Sequence, residues 1–161
     1  MCIRDSFIDY LRRIMPMLDR SEVPLGEEVD LVRAYLAVIQ VRMLARLKVA
    51  LDVPDRLRHV LVPPLALATL VENAVKHGIT PSPSGGEIRI GAVEHAGQLQ
   101  LCVADTGVGL RADGTGGTGI GLSNVRARLT TLHGARAGLR VETNEPSGVR
   151  ALLYLPCRET G

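Results

Sequence analysis

The sequence predicts an α+β fold: a two-layer α/β sandwich in which helices cover one face of a mixed sheet, preceded by a helical segment. Two patterns and one connection carry that expectation. Apolar residues recur at helical spacing in stretches near 27–46 and 65–77, and a further helix is expected over 121–133. Apolar and polar residues alternate with a period of two near 47–53, 87–92 and 98–103, and two last strands are expected at 138–143 and 148–155. The short NEPSG turn joins those last two strands, so at least part of the sheet is antiparallel.

The elements follow in order. Residues 7–19 (FIDYLRRIMPMLD) suit a helix that Pro16 kinks or ends. SEVPLG (21–26) is a cluster of helix breakers, after which Glu27 and Glu28 suit the positive end of a second helix. Val32, Leu36, Ile39 and Met43 form its apolar stripe, widened by Leu31, Tyr35 and Val38. A stripe that wide needs a partner helix or another subunit. Leu47, Val49, Leu51 and Val53 form a strand ending at Pro54. VPPL (62–65) is expected to open the next helix, since proline is tolerated in a first turn. That helix should run to His77, with Gly78 as its C-cap. TPSPSGG (80–86) reads as a loop. Two strands joined by a turn at 95–97 come next. Residues 106–120 form a glycine-rich loop long enough to expect function or motion in it.

Composition narrows the function. A chain of 161 residues, 46% hydrophobic and 22% charged, fits one domain or one domain with a helical extension. Only 2% is aromatic and Trp is absent, so Leu, Val, Ile and Ala must build the core. A net charge of +2 gives no electrostatic case for nucleic acid as a partner, and rings on which bases could stack are scarce. Cys2, Cys102 and Cys157 lie far apart and form no CxxC pair, which argues for a reducing compartment and against structural zinc. No apolar run approaches the length of a membrane span, and no signal peptide is visible. An anchor upstream in a parent protein stays open.

Three segments carry chemistry: LVENAVKHG (70–78), DTGVGL (105–110) and GTGIGLSN (117–124). On the first, Leu67, Leu70, Val71, Ala74 and Val75 form a buried stripe. Thr69, Glu72, Asn73 and Lys76 repeat the spacing on another face. An amide oxygen on Asn73 is a hard ligand suited to Mg²⁺, which takes phosphate oxygens and waters for its remaining positions. Lys76 is a point charge for phosphate. His77 could touch phosphate or cap the helix, and Glu72 could accept a proton or orient an attacking group. Asp105, ending an apolar strand, can accept a hydrogen bond from the exocyclic amine of adenine. Guanine presents a carbonyl there, and an unpaired buried acceptor costs about 1–3 kcal/mol. Gly107 and Gly109 let the backbone approach a base closely. Gly117, Thr118, Gly119, Gly121 and Leu122 form a loop running into a helix, whose amides and positive end favour phosphate. The loop is neither a P-loop nor part of a βαβ unit. Arg126 and Arg128 read as solvated helix charges. His59, His95 and His133 read as surface or structural residues.

In that order the segments resemble the N, G1 and G2 boxes of the GHKL (Bergerat-fold) ATPases, and in particular those of LytS-like sensor histidine kinases. The resemblance covers about Phe7 to Pro156. It includes LGEEVDLVRAYLAVIQVR, similar to a second dimerisation helix, along with LVPPLALATLVENAVKHG and GIGLSNVRARL. It implies a partial helical dimerisation segment over 1–46 and an ATP-binding catalytic domain over 47–161. It further implies Mg²⁺ on Asn73, catalytic assistance from Glu72, and phosphates near Lys76 and His77. Asp105 would read adenine over a floor of Gly107 and Gly109, with Gly117, Thr118, Gly119, Gly121 and Leu122 in the ATP lid. The implied partner is a response regulator, phosphorylated through a phosphohistidine. The implied parent is a homodimer anchored in the bacterial inner membrane, with this domain cytoplasmic and membrane contact made only by upstream segments. In this class the phosphoacceptor histidine lies on an upstream helix, whereas the first histidine here is His59 and residues 1–6 (MCIRDS) fit no part of the pattern. The resemblance therefore implies a chain truncated within the dimerisation helices. The alternatives are an anti-sigma-type GHKL serine kinase, which normally lacks the long helix at 27–46, and a non-catalytic dimerisation module. ATPase clamps of the gyrase type need further domains.

Overall fold

The strands alternate, and that alternation decides which face of the sheet is buried. The computed structural model describes residues 3–110 and 119–158. In it β2 (Leu47–Asp52), β4 (Gly86–His95), β5 (Gln98–Asp105), β6 (Gly138–Thr143) and β7 (Val149–Pro156) form one sheet in the order β2-β4-β5-β7-β6. Ile88 and Ile90 of β4, Leu99, Leu101 and Val103 of β5, and Leu153 and Leu155 of β7 all point into the core. Their neighbours Arg89, Gln100 and Arg150 are exposed. Only the β2–β4 pair is parallel, with Leu47 opposite Gly86. The remaining pairs are antiparallel. The sheet is therefore mixed, as expected. A parallel pair needs a crossover, and the helix at 66–73 supplies it.

The helices cover the buried face. α1 (Ile3–Met17) contains Pro16 in its last turn, so the proline ends the helix instead of kinking its middle. α2 (Leu25–Met43) packs against it, with the Tyr10 and Tyr35 rings 5.7 Å apart. The wide stripe on α2 has two uses. Leu25, Val29, Leu31, Val32 and Leu36 join the same core as the sheet. Tyr35, Ile39 and Met43 pack against it only partly buried. Two short strands, β1 (Val23–Pro24) and β3 (Leu61–Val62), pair beside the start of α2. α3 (Ala66–Asn73) and α4 (Gly119–His133) complete the layer. Among the described residues no helix is long and apolar enough to cross a membrane.

α3 starts later than VPPL suggests. Leu65 takes a left-handed conformation (φ 64°) and stands at the N-cap with no side-chain cap of its own. The cap comes from far away in sequence: the Glu28 carboxylate accepts from the Leu65 amide and, at 3.2 Å, from the Ala68 amide. Glu28 is fully buried. Burial pushes its carboxyl up to about 7, against the pull of the α3 amides, while Glu27 adds a smaller rise. The Tyr10 hydroxyl from α1 also feels its charge.

A carboxyl raised in the folded state stabilises the fold fully below its unfolded value of 4.5. That contribution is lost as pH rises through about 7. At about 1.4 kcal/mol per unit, the shift corresponds to roughly 3 kcal/mol. Glu28→Gln should remove this component, so the wild-type stability minus that of the variant should fall as pH rises from 4.5 to about 7, the span between the two values. Urea unfolding of both proteins across that range checks it, and parallel curves would contradict it.

Candidate active site

The hub of the site is the end of β5. Asp105 is 2% exposed. Its Oδ1 accepts from the Gly107 amide at 2.9 Å and from the Val149 amide at 3.4 Å. The Asn144 side-chain amide donates to the Asp105 carbonyl at 2.9 Å, and the Ser147 hydroxyl to the Thr106 carbonyl at 3.2 Å. Burial raises the Asp105 carboxyl above the ordinary aspartate range, outweighing the two amides that lower it. Both amides go to Oδ1, and among the described residues no hydrogen bond reaches Oδ2, which leaves it for a ligand.

Three backbones close on this carboxylate, and each does so at a glycine. A Cβ on Gly78 would lie 2.6 Å from Asp105 Oδ1. One on Gly107 would lie 2.1 Å from the Gly78 carbonyl oxygen. Gly148 has φ 104°, and a Cβ there would lie 1.9 Å from the Asp105 carbonyl oxygen. Gly78 is thus not the expected C-cap. α3 runs on into a π-helical turn, Ala74–Ile79, in which the Thr80 amide reaches back five residues to the Val75 carbonyl at 2.8 Å. Such turns recur at functional sites. Here the glycine serves close approach rather than termination.

Between α3, the end of β5 and α4 lies a cleft of about 180 Å³. Asn73, Lys76, His77, Asp105 and Gly109 bring polar groups and backbone to its walls. Leu70, Val103, Leu122 and Ala151 supply apolar surface. The side-chain nitrogen of Asn73 is buried and has no hydrogen-bond partner among the described residues. Amide oxygen and nitrogen exchange by a simple flip. Asn73 therefore presents to the cleft a polar group that is unpaired among the described residues.

The remaining expected residues divide. Glu72 does not line the cleft. It is exposed, and its charge acts on Tyr10 and Tyr35; the Tyr35 hydroxyl is pushed up to about 12, first by burial and then by Glu72. Adjacent positions on a helix point about 100° apart, so Asn73 and Glu72 serve different faces. Gly107 is buried behind Asp105, and Gly109 takes φ 82° at the cleft. Gly117 and Thr118 lie outside the described residues. Gly119 opens α4, two residues earlier than expected, so Gly121 falls within the first turn, with Leu122 buried beside it. Arg128 is not a free surface charge: its guanidinium donates to the Pro64 carbonyl at 3.0 Å. Sequence reasoning missed Asn144, Gly148 and Val149. Their signal was the NEPSG turn, which said where the chain reverses but not what it reverses around.

A buried carboxylate at a strand end, an asparagine-bearing helix and a glycine-led helix start thus surround one cleft on an α+β sandwich. The family described as histidine kinase-, DNA gyrase B-, and HSP90-like ATPase matches residues 54–159, and the chain belongs to it. Sensor histidine kinase YesM of Bacillus subtilis (strain 168) is 35% identical over 154 residues, covering 94% of this chain and 27% of YesM. Sensor histidine kinase/phosphatase LytS of Staphylococcus aureus (strain MRSA252) is 35% identical over 146 residues, covering 83% of this chain and 25% of LytS. The chain thus spans about a quarter of the length of these relatives. Among solved structures, the catalytic domain of histidine kinase ThkA superposes with a TM-score of 0.63 at 18% identity, covering 86% of this chain and 97% of that one. Full-length ShkA in complex with AMPPNP gives 0.61 at 19% identity, covering 99% of this chain and 36% of that one. At those identities the structures speak for the fold: it is the GHKL α+β fold of histidine kinase catalytic domains.

Proposed function

We propose that the cleft binds ATP with Mg²⁺, and that the domain transfers the γ-phosphoryl group to a histidine outside this chain, from which it passes to a response regulator. One observation carries this reading. Asp105, Asn73 and the glycine-led start of α4 meet at a single cleft whose other walls are largely apolar. A flat base fits apolar walls with one buried acceptor at the end. Asp105 accepts from the adenine amine, with Gly107 and Gly109 keeping the backbone low beside the ring. Lys76 and His77 face the phosphates. Gly119, Gly121 and Leu122, in the first turn of α4, face them with amides at the positive end of that helix.

The metal fits the residues present. Asn73 supplies one hard oxygen, and its buried side-chain nitrogen has no hydrogen-bond partner among the described residues. Among the described residues no group of three or more His, Cys, Asp or Glu could cage an ion. Phosphate oxygens and waters would complete the shell, and bound Mg²⁺ supplies charge neutralisation on the phosphates. Glu72 stands outside the cleft, beside the tyrosine pair, and so serves the acceptor and not the nucleotide. It takes the imidazole proton as the nitrogen–phosphorus bond forms and the bond from the γ-phosphorus to its bridging oxygen breaks, releasing ADP.

Residues 1–46 act as part of a dimerisation segment and 47–161 as the ATP-binding unit, with the first half of α2 sharing its core. In the parent protein this unit is cytoplasmic, belongs to a homodimer and is joined to a membrane anchor in the bacterial inner membrane. The names of the two relatives, both sensor histidine kinases, support the kinase part of this reading. The test supplies γ-labelled ATP and a histidine-bearing helical segment in trans. Acid-labile, alkali-stable label on the segment is expected. Nucleotide binding with no transfer to any histidine segment would contradict the kinase half of the proposal.

A further inference from the structure

α3 has no cap of its own. Its N-cap residue is Leu65, in a left-handed conformation, where helices favour Ser, Thr, Asp or Asn. Its start is held by two side chains from neighbouring helices. Glu28 of α2 accepts from the Leu65 and Ala68 amides. Arg128 of α4 donates to the Pro64 carbonyl. Of the two only Glu28 is fully buried, and it reaches across 37 residues of sequence. A buried carboxylate is costly to hold unless several donors meet it. Here those donors are the free amides of the helix that carries Asn73 about two turns further on.

We infer that Glu28 is a positioning residue for the metal-dependent part of nucleotide binding: by gripping the start of α3 it sets where Asn73 and Lys76 stand, so that a shift of α2 is felt at the phosphate end of the cleft. The inference rests on the Mg²⁺–ATP reading of that cleft. It predicts a split, because the base end is built differently. Asp105 lies on β5 and is held by Gly107, Val149 and Asn144, none of which belongs to α3. Disturbing Glu28 should loosen the phosphate and metal end and leave adenosine recognition alone.

Glu28→Gln keeps the size and one acceptor but turns an N–H donor toward a backbone donor. Binding is measured by calorimetry for Mg²⁺–ATP and for metal-free adenosine, on the wild-type chain, Glu28→Gln and the control Glu27→Gln. Glu27 pairs with Arg20 at the surface. Glu28→Gln should weaken Mg²⁺–ATP about tenfold or more, as removing an orienting partner of a metal ligand does. Adenosine affinity should stay unchanged, and Glu27→Gln should match wild type for both ligands. A general loss of structure would instead lower both affinities together. An unchanged ratio of the two affinities in Glu28→Gln, with wild type binding normally, overturns the inference alone. A wild-type chain that binds no Mg²⁺–ATP overturns the nucleotide reading and the inference with it. A second measurement needs no variant. Coupling is reciprocal, so Mg²⁺–ATP should slow hydrogen exchange at the Leu65 and Ala68 amides of the wild-type chain more than metal-free adenosine does. Equal exchange with the two ligands would also overturn the inference.

Discussion

Gly107→Ala is expected to abolish ATP binding, a loss beyond about a hundredfold, because the overlap it creates is between backbones. The added Cβ would stand 2.1 Å from the Gly78 carbonyl oxygen and 2.2 Å from its carbon. Neither atom can swing aside like the end of a side chain. Relief requires the DTG turn to move away from the π-helical turn, and those two segments are the walls of the cleft. The Val108 amide, which donates to the same Gly78 carbonyl at 3.2 Å, would be lost in the process. Overpacking of this kind costs about 1–3 kcal/mol, so the variant should fold with a lowered melting temperature and an open site. Gly91→Ala is the matched control. Its Cβ would meet nothing closer than the Asp52 carbonyl oxygen at 3.8 Å. Thermal unfolding and nucleotide titration of both variants check this. Full ATP affinity in Gly107→Ala would show that the approach of the two segments is not what shapes the pocket.

Asp105→Asn should cost about a hundredfold in ATP affinity while changing the melting temperature little. The new amide can keep its oxygen on the Gly107 and Val149 amides. It then turns an NH₂ toward the ligand in place of Oδ2, donor against the adenine amine. Losing a hydrogen bond to a charged acceptor costs about 1.5–3 kcal/mol. The same change should improve GTP relative to ATP, since guanine offers a carbonyl where adenine offers an amine. The pH dependence follows from the raised carboxyl. Binding needs the ionised form, so ATP affinity should fall on acidification from a pH above the ordinary aspartate range. Stability of the free chain moves the other way. A raised folded-state value means that Asp105 stabilises the fold when protonated and that this contribution fades as pH rises through its folded value. Asp105→Asn should flatten the acid limb of the binding curve. Binding titrations from acid to neutral pH check that, and an acid limb identical to wild type would assign the titration to another group.

Periodic features were legible in the sequence. The five strands of the sheet fall near where the sequence places them, three by alternation and two on either side of the NEPSG turn, and the apolar stripe on α3 is the buried set Leu67, Leu70, Val71, Ala74 and Val75. Asn73, Lys76, His77, Asp105, Gly109 and Leu122, expected from three separate segments, line one cleft. What escaped reading is what depends on distant partners. Glu28 in a first turn reads as a charge facing its own helix dipole. Its burial against the start of α3 is a tertiary fact with no local signal. Gly78 after a helical pattern reads as a cap, because an approach to Asp105 cannot be seen from position 78 alone. The π-helical turn leaves the apolar period almost unchanged, so it too was invisible. Asn144 and Gly148 looked like turn residues and are that, yet their turn also clasps the Asp105 backbone.

Calorimetric titration of the wild-type chain and Asn73→Ala with ATP and with GTP, each with and without Mg²⁺, decides whether the cleft is an adenine-specific, magnesium-dependent nucleotide site. Wild type should bind ATP in preference to GTP and more tightly with Mg²⁺, and Asn73→Ala should lose the gain from Mg²⁺ while keeping the preference for adenine. Equal binding of ATP and GTP, or no binding by a folded wild-type chain, would contradict it.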